Sequence, residues 1–200
     1  MTETSSAYRE VLVADTRMGH ADGVSLRELS EAGAAPIVRD RASAFTVDDL
    51  RAEEVAGLTW AGDSIHLRCV ADAVARAVRG EVDYLAVRNS AGAALAIGGV
   101  DYTARPDAAT LWQLSTHPDH RSRGLGSRLI VALEQRACGR GYAKARLSVE
   151  RDNIRARALY ERLGYRVVGS SVESWQTCDE HGREVTYHAD CLELAKSLTA

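Results

Sequence analysis

Between residues 111 and 137 the sequence changes from strand periodicity to helix periodicity across a short glycine-rich turn. The apolar residues of Leu111–His117 predict a strand that Pro118 ends, because proline has no N–H to donate to a sheet. From Leu125 to Ala137 apolar residues recur at helical spacing. The same alternation continues with a strand over Ala143–Val149, a helix that Asp152 or Asn153 caps and that runs to Leu163, and a strand over Tyr165–Val168.

The flanking segments complete the prediction of a mixed α/β fold. A helix from Asp63 or Ser64 to Arg79 precedes a hairpin whose strands are Tyr84–Arg88 and Ala94–Tyr102. Asp179–Arg183 has the composition of the tip of a last hairpin. Short helical stretches are expected between Pro36 and the helix that starts at Asp63 or Ser64.

The chain has 200 residues, enough for one domain with a buried core. We predict an N-terminal extension over residues 1–22 and a single domain over residues 23–198, opened by a strand at Val24–Leu29. Hydrophobic residues make up 46% and charged residues 26%, which excludes a disordered or fibrous chain. No apolar run approaches the ~20 residues that span a bilayer, so no membrane partner is expected.

The four cysteines are too widely spaced for a zinc site or a disulfide framework. They are Cys69, Cys138, Cys178 and Cys191, with no CxxC pair among them. The first twenty residues lack the basic start and apolar stretch of a signal peptide. We therefore expect a cytoplasmic protein without a metal.

Positive charge is concentrated in one segment of an acidic chain. Residues 110–166 carry a net charge of +7, whereas residues 1–63 and 167–200 carry −6 and −4. Such a segment can meet a nucleic acid, a membrane surface or a phosphorylated cofactor, or its arginines can simply be solvated on helix faces. Residues 110–166 offer no aromatic stacking platform, so nucleic acid is not expected as a partner.

The turn Arg121-Ser122-Arg123-Gly124-Leu125-Gly126 has the properties of an anion cradle. The first turn of a helix presents unpaired N–H groups and a partial positive charge. Glycines at 124 and 126 let a phosphate approach the backbone, and the arginines add charge. The turn matches neither the dinucleotide fingerprint nor the P-loop, because the third glycine and the GK[ST] triplet are missing.

Together with the segment around Asn153, this turn resembles the GNAT acetyltransferase superfamily. Residues 153–165 follow the pattern N-x-x-A-x-x-x-Y-x-x-x-G-Y, about twenty-five residues after the RxxGxG turn. The resemblance is strong over residues 110–170 and covers residues 24–110 only as an element order. It implies a GNAT fold, with a central mixed sheet of about six to seven strands flanked by helices and splayed between the fourth and fifth strands.

The resemblance also implies an acetyl-CoA site and its residues. The pantetheine arm would pair with the fourth strand, and the pyrophosphate would sit on the N–H groups of the glycine-rich turn. The implied cofactor-binding residues are Leu114, Ser115, Thr116, Arg121, Ser122, Arg123, Gly124, Leu125, Gly126, Ser127 and Asn153. Tyr160 matches the tyrosine that protonates the departing thiolate, although it can also be a packing residue, and Asn153 can also be a plain helix cap.

The general base is left unassigned. Ribosomal-protein N-terminal acetyltransferases place a glutamate where this chain has Ser148, and serine cannot replace a carboxylate as base. Glu150, two positions later on the same strand face, is a candidate, as is a water relay through His117 or His120. Each of these residues can instead have only a structural role.

The acidic regions around the expected acceptor entrance favour a cationic amine. Trp60, Trp112 and Trp175 either line this entrance or pack in the core. We expect a small-molecule N-acetyltransferase, with two alternatives: a protein N-terminal or lysine acetyltransferase, and a non-catalytic acyl-CoA-binding module. The oligomeric state is open, with a homodimer as one option.

Overall fold

Seven strands form one open sheet in the computed structural model, which describes residues 45–198. The strands are β1 Phe45–Asp49, β2 Val82–Asn89, β3 Ala94–Asp101, β4 Ala109–Thr116, β5 Lys144–Glu150, β6 Arg166–Cys178 and β7 Glu184–Ser197. The helices are α1 Ser64–Val78, α2 Leu125–Gly139 and α3 Ile154–Arg162, with short 3-10 helices at Ala52–Gly57 and Pro118–His120. The strand order is β1-β2-β3-β4-β5-β7-β6, and only β4 and β5 pair in parallel within this described part.

The first strand of this sheet corrects the sequence prediction. Short helical stretches were expected here, but Phe45–Asp49 is a strand antiparallel to β2, and only Ala52–Gly57 is helical. The strand is short, lies at the sheet edge and ends in two aspartates, which are unfavourable in strands, so its sequence signal is weak. The strand predicted at Val24–Leu29 and the extension over residues 1–22 lie outside the described residues.

Most other elements begin where their capping residues predict. The Asp63 carboxylate accepts from His66 N at 2.8 Å and starts α1, and Asn153 Oδ1 accepts from Ala156 N at 3.0 Å and starts α3. Helix α2 ends at Gly139, two residues beyond its predicted end. Strand β6 continues to Cys178, ten residues beyond its predicted end, because it pairs with β7 along its length.

Helices cover both faces of the sheet. Leu125, Leu129 and Leu133 of α2 pack in one cluster with residues of β2, β4, β5 and β7. On the opposite face, Val70 and Val74 of α1 pack in a second cluster with residues of β2 and β3. The chain thus forms a mixed α/β layer structure, as predicted.

Strands β4 and β5 separate soon after they meet. They pair only at Ala109–Ala145 and Thr110–Arg146. Beyond this point, Gln113 adopts a left-handed φ of 52°, and Gln113 and Leu114 together stand opposite Gly98 of β3. Such a bulge bends a strand. The predicted splay between the fourth and fifth strands is confirmed, and it opens a V-shaped gap in the middle of the sheet.

A buried arginine ties β1, the first 3-10 helix and β2 together. The Arg88 guanidinium donates to both Glu54 carboxylate oxygens, at 2.6 and 2.8 Å, and also bonds Asp48. Burial raises the pKa of Glu54, but the hydrogen bonds from Arg88 and Arg51 outweigh it and bring the pKa from 4.5 to about 2.

This network predicts a specific dependence of stability on acid pH. A carboxyl whose pKa is lower in the folded state stabilises the fold above its unfolded pKa, and that stabilisation is lost as the pH falls towards the folded pKa. We expect the free energy of unfolding of the wild type to fall more steeply between pH 4.5 and pH 2 than that of Glu54→Gln. Urea denaturation at a series of pH values measures this difference, and parallel curves would contradict the assignment.

Candidate active site

A cleft of about 380 Å³ lies where β4 and β5 separate. It is lined by Leu114, Ser115 and Thr116 of β4, by Arg121, Ser122 and Gly124 of the following loop, by Leu125, Gly126, Ser127, Leu129 and Ile130 of α2, and by Asn153, Arg155, Ala156, Leu159, Tyr160 and Arg162 in and before α3. Every residue predicted for the site lines this cleft except Arg123, whose side chain is exposed.

The structure adds two arginines that the sequence analysis did not name. Arg155 and Arg162 of α3 also line the cleft. Their spacing of seven residues is two helical turns, so the helical repeat was the signal that could have found them.

The glycine-rich loop has the backbone that an anion cradle requires. Ser122 and Gly124 both adopt left-handed φ values, 60° and 79°. This backbone leads the chain into α2, whose first N–H groups have no hydrogen-bond partner within the helix. A side chain at Gly124 would meet no protein atom within 4 Å, so the space above this residue is open.

Positive charge in the cleft is not neutralised by the protein. Arg121, Arg155 and Arg162 have no carboxylate within 4.0 Å among residues 45–198. By contrast, Arg88 and Arg140, far from the loop, each pair with an aspartate or glutamate. The charge excess of the basic segment is therefore presented to the cleft, where it attracts anions.

Tyr160 lies in the wall of the cleft and is 4% exposed. Burial raises the pKa of its phenol well above the usual 10.0, so the hydroxyl keeps its proton over the whole neutral range. Its ring packs edge-on against Tyr165, with the centroids 6.2 Å apart. A neutral hydroxyl in such a wall can donate a proton to a group in the cleft.

Asn153 both caps a helix and lies at the cleft. Its Oδ1 caps α3, and its side chain also lines the cleft. Because the cap uses only the oxygen, the amide nitrogen remains able to donate to a ligand.

The candidate bases lie outside the residues that line the cleft. Ser148 and Glu150 share one face of β5, and Glu150 Oε2 accepts from Tyr187 Oη at 3.4 Å. His117 accepts from the Asp119 amide at 3.3 Å, and its ring meets the ring of His120 edge-on, with the centroids 5.3 Å apart. The histidines thus stabilise the loop that leads to the anion cradle.

The three tryptophans pack against other aromatic rings and do not line this cleft. Trp60 lies 5.3 Å from His117, Trp112 lies 5.9 Å from Tyr84, and Trp175 lies 4.9 Å from Tyr187, measured between ring centroids.

Comparison with known proteins identifies the family. Residues 78–165 match the model of the acetyltransferase (GNAT) family. A protein named as an acetyltransferase from Pectobacterium atrosepticum is 40% identical over 57 residues, which are 28% of this chain and 40% of that protein. The chain thus matches well under half the length of this curated relative.

Two solved structures share the fold. A spermidine N-acetyltransferase chimera from Vibrio cholerae superposes with a TM-score of 0.61 at 15% identity, covering 78% of this chain and 96% of that one. An N-acetyltransferase from Thermoplasma acidophilum, solved in complex with coenzyme A, gives a TM-score of 0.58 at 14% identity, covering 77% and 99%. Residues 78–165 thus carry a GNAT-family domain, and the family and fold predicted from the motifs are confirmed.

Residues 45–198 contain neither a candidate membrane-spanning helix nor a candidate metal site. No helix there is long and apolar enough to cross a membrane. No group of three or more histidine, cysteine, aspartate or glutamate side chains in the same residues is arranged to hold a metal ion.

Proposed function

We propose that the protein is an acetyl-CoA-dependent N-acetyltransferase that acetylates a primary amine of a small cationic molecule. The observation that carries this proposal is the cleft itself. It joins an anion cradle with unneutralised arginines to a buried, protonated Tyr160. A phosphorylated carrier with a reactive thioester at its far end matches both of these features.

Different residues of the cleft bind different parts of acetyl-CoA. The N–H groups from Arg121 to Ser127 face the pyrophosphate. Among residues 45–198, the edge of β4 from Leu114 to Thr116 has no strand partner on its β5 side, so its backbone groups can pair with the pantetheine amides. The Asn153 amide nitrogen donates to the same arm.

The reaction follows from this placement as a direct transfer. The neutral amine attacks the thioester carbonyl carbon, and a backbone N–H of β4 stabilises the oxyanion that forms. The C–S bond then breaks with its electron pair going to sulfur, and Tyr160 Oη gives its proton to the thiolate. The extra proton on the new amide nitrogen leaves to water, and Tyr160 regains its proton from solvent.

The face of the sheet next to the gap supports a cationic acceptor. Glu150 of β5 lies opposite Cys191 of β7, which in turn lies opposite Ser171 of β6, and Glu173 is two residues further along β6. Burial raises the pKa of the Cys191 thiol to about 12, and the charges of Glu173 and Glu150 add to this effect. Glu150 and Glu173 thus place two carboxylates on this part of the sheet, where they favour a cation.

Glu173 is the most unusual of these carboxylates. It is 7% exposed, and its Oε1 accepts from Ser171 Oγ at 3.2 Å. Its Oε2 has no hydrogen-bond partner among residues 45–198. A buried carboxylate oxygen without a partner is costly and rare, and an ammonium group of the acceptor would satisfy it.

A screen of amines tests the proposed function. The assay measures the release of free CoA thiol from acetyl-CoA with spermidine, with an aminoglycoside and with a lysine-containing peptide. We expect release above the hydrolysis background with a small polycation. Transfer to the peptide alone would indicate a protein acetyltransferase. Binding of acetyl-CoA without transfer to any amine would indicate a non-catalytic acyl-CoA-binding module.

We expect Glu173→Gln to raise the KM for the cationic amine found in this screen about 10-fold, because hydrogen bonds to a charged group contribute about 1.5–3 kcal/mol. The KM for acetyl-CoA should not change. Glu180→Gln is the matched control, since the Glu180 side chain is 87% exposed at the hairpin tip. Equal amine KM values in the two variants would exclude Glu173 from acceptor binding.

A further inference from the structure

Arg155 connects the two sides of the cleft mouth. It is exposed in the first turn of α3, and its Nη2 donates to Ser122 Oγ in the glycine-rich loop at 2.7 Å. Both residues line the cleft. The guanidinium therefore lies directly beside the anion cradle, on the side opposite α2.

The position of Arg155 is electrostatically unfavourable in the protein alone. A helix N-terminus carries partial positive charge, so a cation in the first turn is disfavoured. The first turn of α3 contains no acidic residue, and no carboxylate of residues 45–198 lies within salt-bridge distance of Arg155. Two residues further along α3, Arg157 pairs with Glu161 at 2.8 Å. An anion in the cleft would compensate Arg155 as Glu161 compensates Arg157.

The bond to Ser122 also shapes the loop. Ser122 holds a left-handed φ of 60°, a backbone conformation that is strained for a residue with a side chain. Its hydroxyl is fixed by Arg155 through one of the five guanidinium N–H groups. The other N–H groups remain available, and a guanidinium matches the geometry of phosphate oxygens.

We propose that Arg155 is a phosphate-binding residue of this site, acting from α3 against the loop of residues 121–127. The inference rests on the proposed function in taking acyl-CoA as the ligand. Its pyrophosphate and its 3′-phosphate share the chemistry that a guanidinium recognises, and the choice of ligand in the experiment separates them.

The experiment measures binding to the full chain by calorimetry, with CoA and 3′-dephospho-CoA as ligands. Arg155→Met is compared with Arg157→Met, which makes the same substitution on the same helix outside the cleft. We expect Arg155→Met to weaken CoA binding about 10-fold or more and Arg157→Met to leave it within twofold. Arg155→Lys keeps the charge but loses the planar fork, and should recover part of the loss.

The changes in affinity for CoA and for 3′-dephospho-CoA identify which phosphate Arg155 binds. If the preference of the wild type for CoA over 3′-dephospho-CoA disappears in Arg155→Met, the residue binds the 3′-phosphate. If CoA and 3′-dephospho-CoA weaken equally, it binds the pyrophosphate. CoA affinities within twofold in Arg155→Met and Arg157→Met would overturn the proposal. Should Arg155→Met not fold, the ratio of affinities in Arg155→Lys decides in the same way.

This binding test needs no acetyl transfer. CoA binding that depends on Arg155, in a protein that acetylates no amine, would uphold this inference and reject the proposed function. If the wild type and Arg155→Met bind CoA equally well, only the inference about Arg155 is rejected.

Discussion

Gly124→Glu should abolish the thermal stabilisation of the protein by acetyl-CoA. A ligand at 100 times its dissociation constant adds about 2.7 kcal/mol to the free energy of unfolding. In the variant, a side chain and a negative charge occupy the open space above residue 124, where the phosphates are expected to approach. Differential scanning fluorimetry with and without acetyl-CoA measures the shift in Tm.

Gly92→Glu is the matched control for this prediction. Gly92 has a φ of 82°, and Gly124 has a φ of 79°, so both substitutions impose the same backbone strain. A side chain at Gly92 also meets no protein atom within 4 Å, but it lies in the β2–β3 turn. Both variants should have a lower Tm without ligand, and only Gly92→Glu should keep the shift. A full shift in Gly124→Glu would remove the cofactor-site assignment.

Tyr160→Phe should lower the rate of acetyl transfer by about 10² to 10⁴-fold, the usual contribution of general acid catalysis. The substitution removes the hydroxyl and keeps the ring that fills the wall of the cleft, so acetyl-CoA affinity should change little. Because burial raises the pKa of Tyr160 above 10.0, the residue stays protonated where the amine is neutral. The loss should therefore persist as the pH is raised.

Single-turnover rates are the proper measurement, because product release can hide a chemical step. Tyr165→Phe is the control, since it removes the hydroxyl of the neighbouring buried tyrosine, which does not line the cleft. A Tyr160→Phe rate within twofold of the wild type at every pH would make Tyr160 a packing residue. The proton would then come from solvent.

The segment from β4 to α3 could be predicted from the sequence because its signals are local. Asn153 caps its helix through the next turn of chain, and Gly124 marks a left-handed turn within a short motif. Strand β1 could not be predicted in the same way. Its five residues become a strand because β2 is available to pair with them, which is a tertiary effect.

The acidic face beside the gap depends on long-range pairing as well. Glu150 and Cys191 are neighbours only because β5 and β7 pair, and Glu173 joins them through β6. The net negative charge of residues 167–200 could indicate an acidic region but not which carboxylate would be buried. The helical repeat could have placed Arg155 beside the cleft, but its hydrogen bond to Ser122 depends on tertiary packing.

The separation of β4 from β5 gives the sheet two further edges in its interior, one on each strand. Strands β1–β4 and β5–β7 are joined within the sheet by only two residue pairs. A pantetheine arm in the gap would take the place of the missing strand pairing, so the ligand would add hydrogen bonds between two blocks that are otherwise joined mainly through the α2 core cluster. Amide hydrogen exchange should show this directly. Acetyl-CoA should slow exchange in the strands on both sides of the gap, including β5 amides that the ligand does not touch.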